Sequence, residues 1–224
     1  MTSLISPGVQ FQVPPLETAL SVNILQKIGS GRQVQVYALP ENNLVIKIPK
    51  SDMEIEEPER RRQGLELMIA RMNANTYLPT IHVSENASYP FVEFQERAQT
   101  LYFDCLQKIA QSKKERGFFS EIQALFAYEK RLWSRGLFLL DWAGQLNNFS
   151  ADNGTLKLFD FGSITDKEEI AIEFLDKEIE GKIEEVVQSL RQRDFTIDCH
   201  ETYRKIAHDT YNSDVLLNIW GSSL

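Results

Sequence analysis

Cysteine is scarce in this chain: Cys105 and Cys199 are the only two in 224 residues. Two thiols cannot build a disulfide framework, and no C-x-x-C spacing exists to hold zinc, so a reducing compartment is expected. Long apolar runs are absent as well. No stretch of about 18 apolar residues occurs, and the opening "MTSLISPGVQFQVPPLETAL" has neither the basic start nor the continuous apolar centre of a secretory signal. A soluble, cytoplasmic protein with no membrane partner is the expectation. Positive charge is in deficit, with 24 Lys and Arg against 32 Asp and Glu, a net charge of -8 and a pI near 5.0. Binding along a phosphate backbone needs a basic surplus on one surface, so nucleic acid is not an expected partner. The one basic cluster, "ERRRQ" at 59–63, reads as a solvated helix face. Internal repeats and low-complexity tracts are missing too, which sets aside fibrous and disordered classes.

What is present suits a globular enzyme-sized chain. Hydrophobic residues make up 42% and charged residues 25%, enough to bury a core without covalent staples. Residues 24–37, "ILQKIGSGRQVQVY", alternate polar and apolar on both sides of a glycine turn, and "NLVIKI" follows at 43–48. That pattern predicts three antiparallel strands. Residues 53–73 carry apolar side chains at 65, 68, 69 and 72, a helical spacing, with acidic residues early where a helix dipole favours them. "TIHVSE" and "PFVEFQE" predict two more strands.

The second half changes character. Residues 117–135 place Phe118, Ile122, Leu125, Phe126 and Trp133 in a stripe, predicting a long helix buried along one face, and Gly136 reads as its stop. Next come "LFLL", the polar loop "DWAGQLNN", the turn "DNG" and the strand "LKLFDFG". The last 60 or so residues are helical by period, with Ile172, Leu175, Ile179, Ile183, Val187 and Leu190 forming a stripe that predicts packing onto the rest of the protein.

Glycine loop, lysine strand, acidic helix, Asp/Asn loop and D-F-G follow one another in the order used by the protein-kinase-like superfamily, and residues 24 to 164 resemble a compact, divergent, bacterial-type member of it. The resemblance implies an α+β, bilobal fold. Residues 1–95 would form an N-lobe of five antiparallel strands plus one helix, and 96–224 a shortened, mainly helical C-lobe. In "GSGRQV", Gly29, Ser30 and Gly31 would cradle phosphate through backbone amides, with Val34 where the family has a third glycine. Val36 and Val45 would line the adenine. Lys47 of "LVIKI" would orient the α- and β-phosphates, paired with Glu66 of the helix. Val92 falls near the gatekeeper position, and Glu93 to Gln95 would offer backbone groups to adenine.

In "LLDWAGQLNN", Asp141 takes the position of the base, Leu139 and Leu140 replace the family's His and Arg, and Asn147 or Asn148 takes the metal-binding position in a loop one or two residues longer than the pattern. Asp160 of D-F-G would hold Mg²⁺, Phe161 would pack under the helix, and Gly162 would let the chain turn. The implied activity is ATP- and Mg²⁺-dependent phosphoryl transfer to a hydroxyl, on a protein in preference to a small molecule. No A-P-E follows the D-F-G and only 62 residues follow Gly162, which leaves room for an activating protein partner and, for a bacterial effector, for delivery into a host cell. The alternative is a pseudokinase acting as a nucleotide- or protein-binding module. Plainer roles stay open for each residue: a hairpin glycine pair, a Lys47 that snorkels to water, an Asp141 that caps a turn, and an Asp160 that caps a helix beginning near Ser163. His82, His200 and His208 have no second ligand at metal spacing and read as structural.

Overall fold

The computed structural model of the chain describes residues 25–30, 34–39, 43–50, 57–72, 81–84, 92–98, 101–112, 115–140, 145–152, 155–160 and 163–221. It is a mixed α+β structure that divides into two units, Met1–Ala98 and Gln99–Leu224. In the first unit, β1 (Gln26–Ser30), β2 (Val34–Leu39), β3 (Leu44–Pro49), β4 (Ile81–Ser84) and β5 (Val92–Glu96) form one antiparallel sheet in the order β1-β2-β3-β5-β4. Helix α1 (Glu57–Arg71) joins β3 to β4 in sequence.

The period of two along each strand sorts the side chains onto two faces. On one face Ile46, Val92 and Phe94 are fully buried and gather with Leu25, Tyr37, Leu39 and Ile48. Each large apolar side chain buried this way is worth about 1.5–3 kcal/mol, so this cluster secures the sheet. The other face carries a mixed set, because the register pairs Val36 with Lys47, Ala38 with Val45, Lys47 with Glu93 and Val45 with Gln95. Helix α1 buries Arg61, Leu65, Met68 and Met72. Their spacing of four, three and four makes a single stripe at 3.6 residues per turn.

The second unit comprises α2 (Tyr102–Gln111), α3 (Glu115–Trp133), β6 (Phe138–Leu139), β7 (Phe149–Asp152), β8 (Thr155–Leu158), β9 (Ile164–Thr165), α4 (Glu168–Lys177), α5 (Ile179–Gln192), α6 (Ile197–Thr210) and α7 (Ser213–Gly221). Helix α3 is its axis. It buries Phe118, Ile122, Leu125, Phe126, Leu132 and Trp133 and packs against α2, α6 and α7. Trp133 stacks on Phe138 with centroids 5.8 Å apart and meets Tyr211 edge-on at 5.4 Å.

Gly136 ends α3 at φ 66°, with its N–H donating to Trp133 O and the Leu137 N–H donating to Leu132 O. That is a Schellman stop, and the left-handed φ is the reason a glycine stands there. The expected C-terminal stripe is divided at Glu178, which ends α4 and starts α5. No helix among the described residues is long and apolar enough to cross a membrane.

Candidate functional site

Strand β3 sets Lys47 between Val36 of β2 and Glu93 of β5. Lys47 is only 7% exposed and Glu93 1%. A cation buried this deeply is costly unless a counter-charge lies beside it. Glu93 supplies one: Nζ of Lys47 lies 3.4 Å from its Oε2, a distance suited to an ion pair and long for a hydrogen bond. Arg61 reaches the same carboxylate from α1. Its Nε donates to Oε1 at 2.7 Å, its Nη2 lies 2.6 Å from that oxygen, and the residue is 3% exposed.

This arrangement corrects two expectations. Glu66, the expected partner of Lys47, is exposed. The cause is helical phase: one residue past Leu65 turns the side chain about 100° away from the stripe that packs inward. The "ERRRQ" cluster is not wholly solvated either, because Arg61 lies four residues before Leu65 and falls on that stripe. The spacing that marked Leu65, Met68 and Met72 as buried therefore already contained Arg61.

Gly29 and Ser30 are strand residues, paired with Val36 and Gln35 beyond a register shift between Lys27 and Gly29. A Cβ on Gly29 would rest 3.8 Å from the Cβ of Val36, an ordinary contact. Gly31 lies outside the described residues. Val36 and Val45 share the sheet face of Lys47, as an adenine-lining pair requires.

Glu93 and Gln95 do not offer backbone groups as expected. Strand β5 is flanked on both sides, with Glu93 paired to Lys47 and Val83 and Gln95 paired to Val45 and Ile81, so the ladder occupies the main chain there. Even Arg97 donates its N–H to Asn43 O at 2.9 Å. Gln95 instead presents a side chain on the Lys47 face. Its Oε1 is buried and meets no hydrogen-bond donor among the described residues.

In the second unit the hairpin β7–β8 pairs Phe149 with Leu158 and Asp152 with Thr155. Beyond its last pair, the Phe159 N–H donates to Asn148 O at 2.9 Å. Asn148 therefore faces Phe159 at the open end of the hairpin, with Asn147 and Asp160 as their chain neighbours. The short 3-10 turn Gln145–Asn147 leads into this point, with Asn147 exposed and Asn148 half-buried. Strands β6 and β9 pair Leu139 with Ile164, and the Leu140 N–H donates to Ser163 O at 2.7 Å. The residue before Asp141 is thus tied to the residue three beyond Asp160. Asp141, Phe161 and Gly162 lie outside the described residues. Asp160 as the cap of a helix beginning near Ser163 is excluded, since Ile164 and Thr165 form β9 and α4 starts only at Glu168.

Among the described residues, no group of three or more His, Cys, Asp or Glu side chains could hold a metal ion. A magnesium–nucleotide complex does not require one. Mg²⁺ keeps several waters and takes one or two carboxylates besides the phosphates, so one aspartate and one carboxamide are a fitting donor set. His200, buried on α6, is held below the ordinary imidazole range by burial and then by the Arg191 guanidinium, with a hydrogen bond to the Phe195 backbone working the other way. His208 lies 3.6 Å from Glu180 across α5 and α6.

Neither a protein-family model nor a curated protein matches the chain. Among solved structures, it is similar to one described as "Structure of the microcompartment-associated aminopropanol kinase", at 13% identity, covering 93% of this chain and 88% of that chain, with a TM-score of 0.34.

Proposed function

We propose that the chain is an ATP- and Mg²⁺-dependent phosphotransferase that moves the γ-phosphoryl group to a hydroxyl. The observation that carries this reading is the register of β7–β8, which brings Asn147 and Asn148 to the same hairpin end as Asp160. A carboxylate from Asp160 and a carboxamide from Asn147 or Asn148 would make a donor pair for the ion. Mg²⁺, when bound, would neutralise charge on the phosphates.

Lys47, paired with Glu93, would orient the α- and β-phosphates, with Val36 and Val45 against the base and Gly29, Ser30 and Gly31 along the phosphates. Asp141 would accept the proton of the acceptor hydroxyl as the new O–P bond forms and ADP leaves with the bridging oxygen. Catalysis of this kind is mostly positioning and charge stabilisation. A protein acceptor is preferred over a small molecule because the chain resembles protein kinases.

The test is calorimetric titration with ATP in the presence and absence of Mg²⁺, followed by incubation with labelled ATP, with and without cell extract. Mg²⁺-dependent binding that Asp160→Asn removes, with label transferred to a protein, is the expected result. No binding of ATP with Mg²⁺ by the parent chain would overturn the reading. A second reading, a pseudokinase serving as a nucleotide- or protein-binding module, draws support from the exposed Glu66 and from the engaged backbone of 93–95. Binding without any phosphoryl transfer would favour it.

A further inference from the structure

Building on the proposed role of Lys47, we propose that Glu93 of β5 is its positioning residue, and that Arg61 of α1 clamps Glu93, so that a carboxylate of the sheet holds the phosphate-orienting lysine. Three observations carry the inference. The Lys47 and Glu93 side chains are directly opposed in the β3–β5 register, so the backbone ladder itself sets their separation. Both are buried, along with Arg61, and one carboxylate receives both cations, Lys47 on Oε2 and Arg61 on Oε1. Glu66, the one acidic residue that the helix could have supplied at the expected position, is exposed.

The consequence is regulatory. Where a helix carboxylate holds the lysine, any shift of the helix breaks the pair and changes the lysine's state. Here a shift of α1 would withdraw Arg61 and leave Lys47 with the carboxylate. The Lys47–Glu93 pair is preset by strand pairing and does not depend on α1 to form. The helix can modulate how much of Glu93's charge Lys47 receives, since the two cations share it.

Labelling of Lys47 with acetic anhydride at one fixed pH, read by mass spectrometry against the other lysines as internal references, tests this without relying on turnover. In Glu93→Gln the labelling of Lys47 rises several-fold, because the carboxylate that holds the side chain in its buried place is gone. In Glu66→Gln the labelling stays at the parent level. In Arg61→Gln it rises modestly, since the clamp on the carboxylate is lost while the carboxylate still faces Lys47 across the strands. Unchanged labelling in Glu93→Gln or Arg61→Gln, or raised labelling in Glu66→Gln, overturns the proposal. If Glu93→Gln does not fold, the other two variants decide it. A parent chain that binds no nucleotide would sink the phosphotransferase reading while leaving the labelling result standing, so the two failures are separable.

Discussion

Glu93 stands between two buried cations, and removing its charge strands both of them. Glu93→Gln is expected to cost about 3–5 kcal/mol of stability, the range for breaking a buried ion pair from one side. Glu66→Gln, at a solvent-facing helix position, is expected to change stability by no more than about 0.5 kcal/mol. Urea midpoints of the two variants, at unchanged slope, check both values. The contrast also shows where reading by residue pattern stopped working. Lys47 was legible as a buried cation in need of a partner because "LVIKI" is apolar throughout. Family spacing does not reveal the partner, because helical phase puts position 66 off the stripe and position 61 on it. Arg61 looked like a member of a charged run, and only its offset of four from Leu65 distinguishes it from its neighbours Arg60 and Arg62.

At the scale of elements, two helix ends use the same device with different residues. Gly136 closes α3 at φ 66°, and Asp194 follows α5 at φ 59°, where the Asp194 N–H donates to Arg191 O and the Phe195 N–H to Leu190 O. A side chain in this backbone region costs roughly 1 kcal/mol, less for Asp and Asn than for others. Gly136→Ala should therefore lower stability by about 1 kcal/mol, and Asp194→Gly should hold or raise it by a few tenths. A thermal midpoint that falls in Gly136→Ala and does not fall in Asp194→Gly would establish the pair. The glycine end was readable from sequence, since a glycine just past an apolar stripe is a strong stop. The aspartate end was not, because its left-handed turn is held by Phe195, which packs on Phe103 and Phe118 from α2 and α3. Strand alternation at 24–37 and 43–48 marks the residues that pair in β1, β2 and β3. What alternation cannot tell is strand order. The placement of β5 between β3 and β4, which closes its backbone to a nucleobase, depends on long-range pairing that leaves no local mark.

For the molecule as a whole, acid is the condition to watch. His200 is buried, and its folded-state proton affinity is lowered by burial and by Arg191, with Arg204 adding to the effect and Glu201 opposing it. The unfolded chain takes up that proton near the ordinary imidazole value of about 6.5, whereas the folded chain resists it to lower pH. Between the two values the unfolded state binds more protons, so stability is fully present above about pH 6.5 and falls as the pH drops through the folded value. Melting temperatures recorded from pH 7.5 down to pH 5.5 should decline, and His200→Gln should flatten the part of that decline that histidine causes. A profile just as steep in the variant would assign the loss elsewhere. The same descent carries the chain, at -8 near neutrality, toward its pI near 5.0, where repulsion between copies fades and solubility is lowest.

Sliding β3 against β5 by one residue would set Lys47 opposite Val92 or Phe94 and leave Glu93 opposite Ile46 or Ile48, stranding a charge among rings and branched aliphatics. The opposed lysine and glutamate therefore make the native alignment the one in which neither charge is set against an apolar partner.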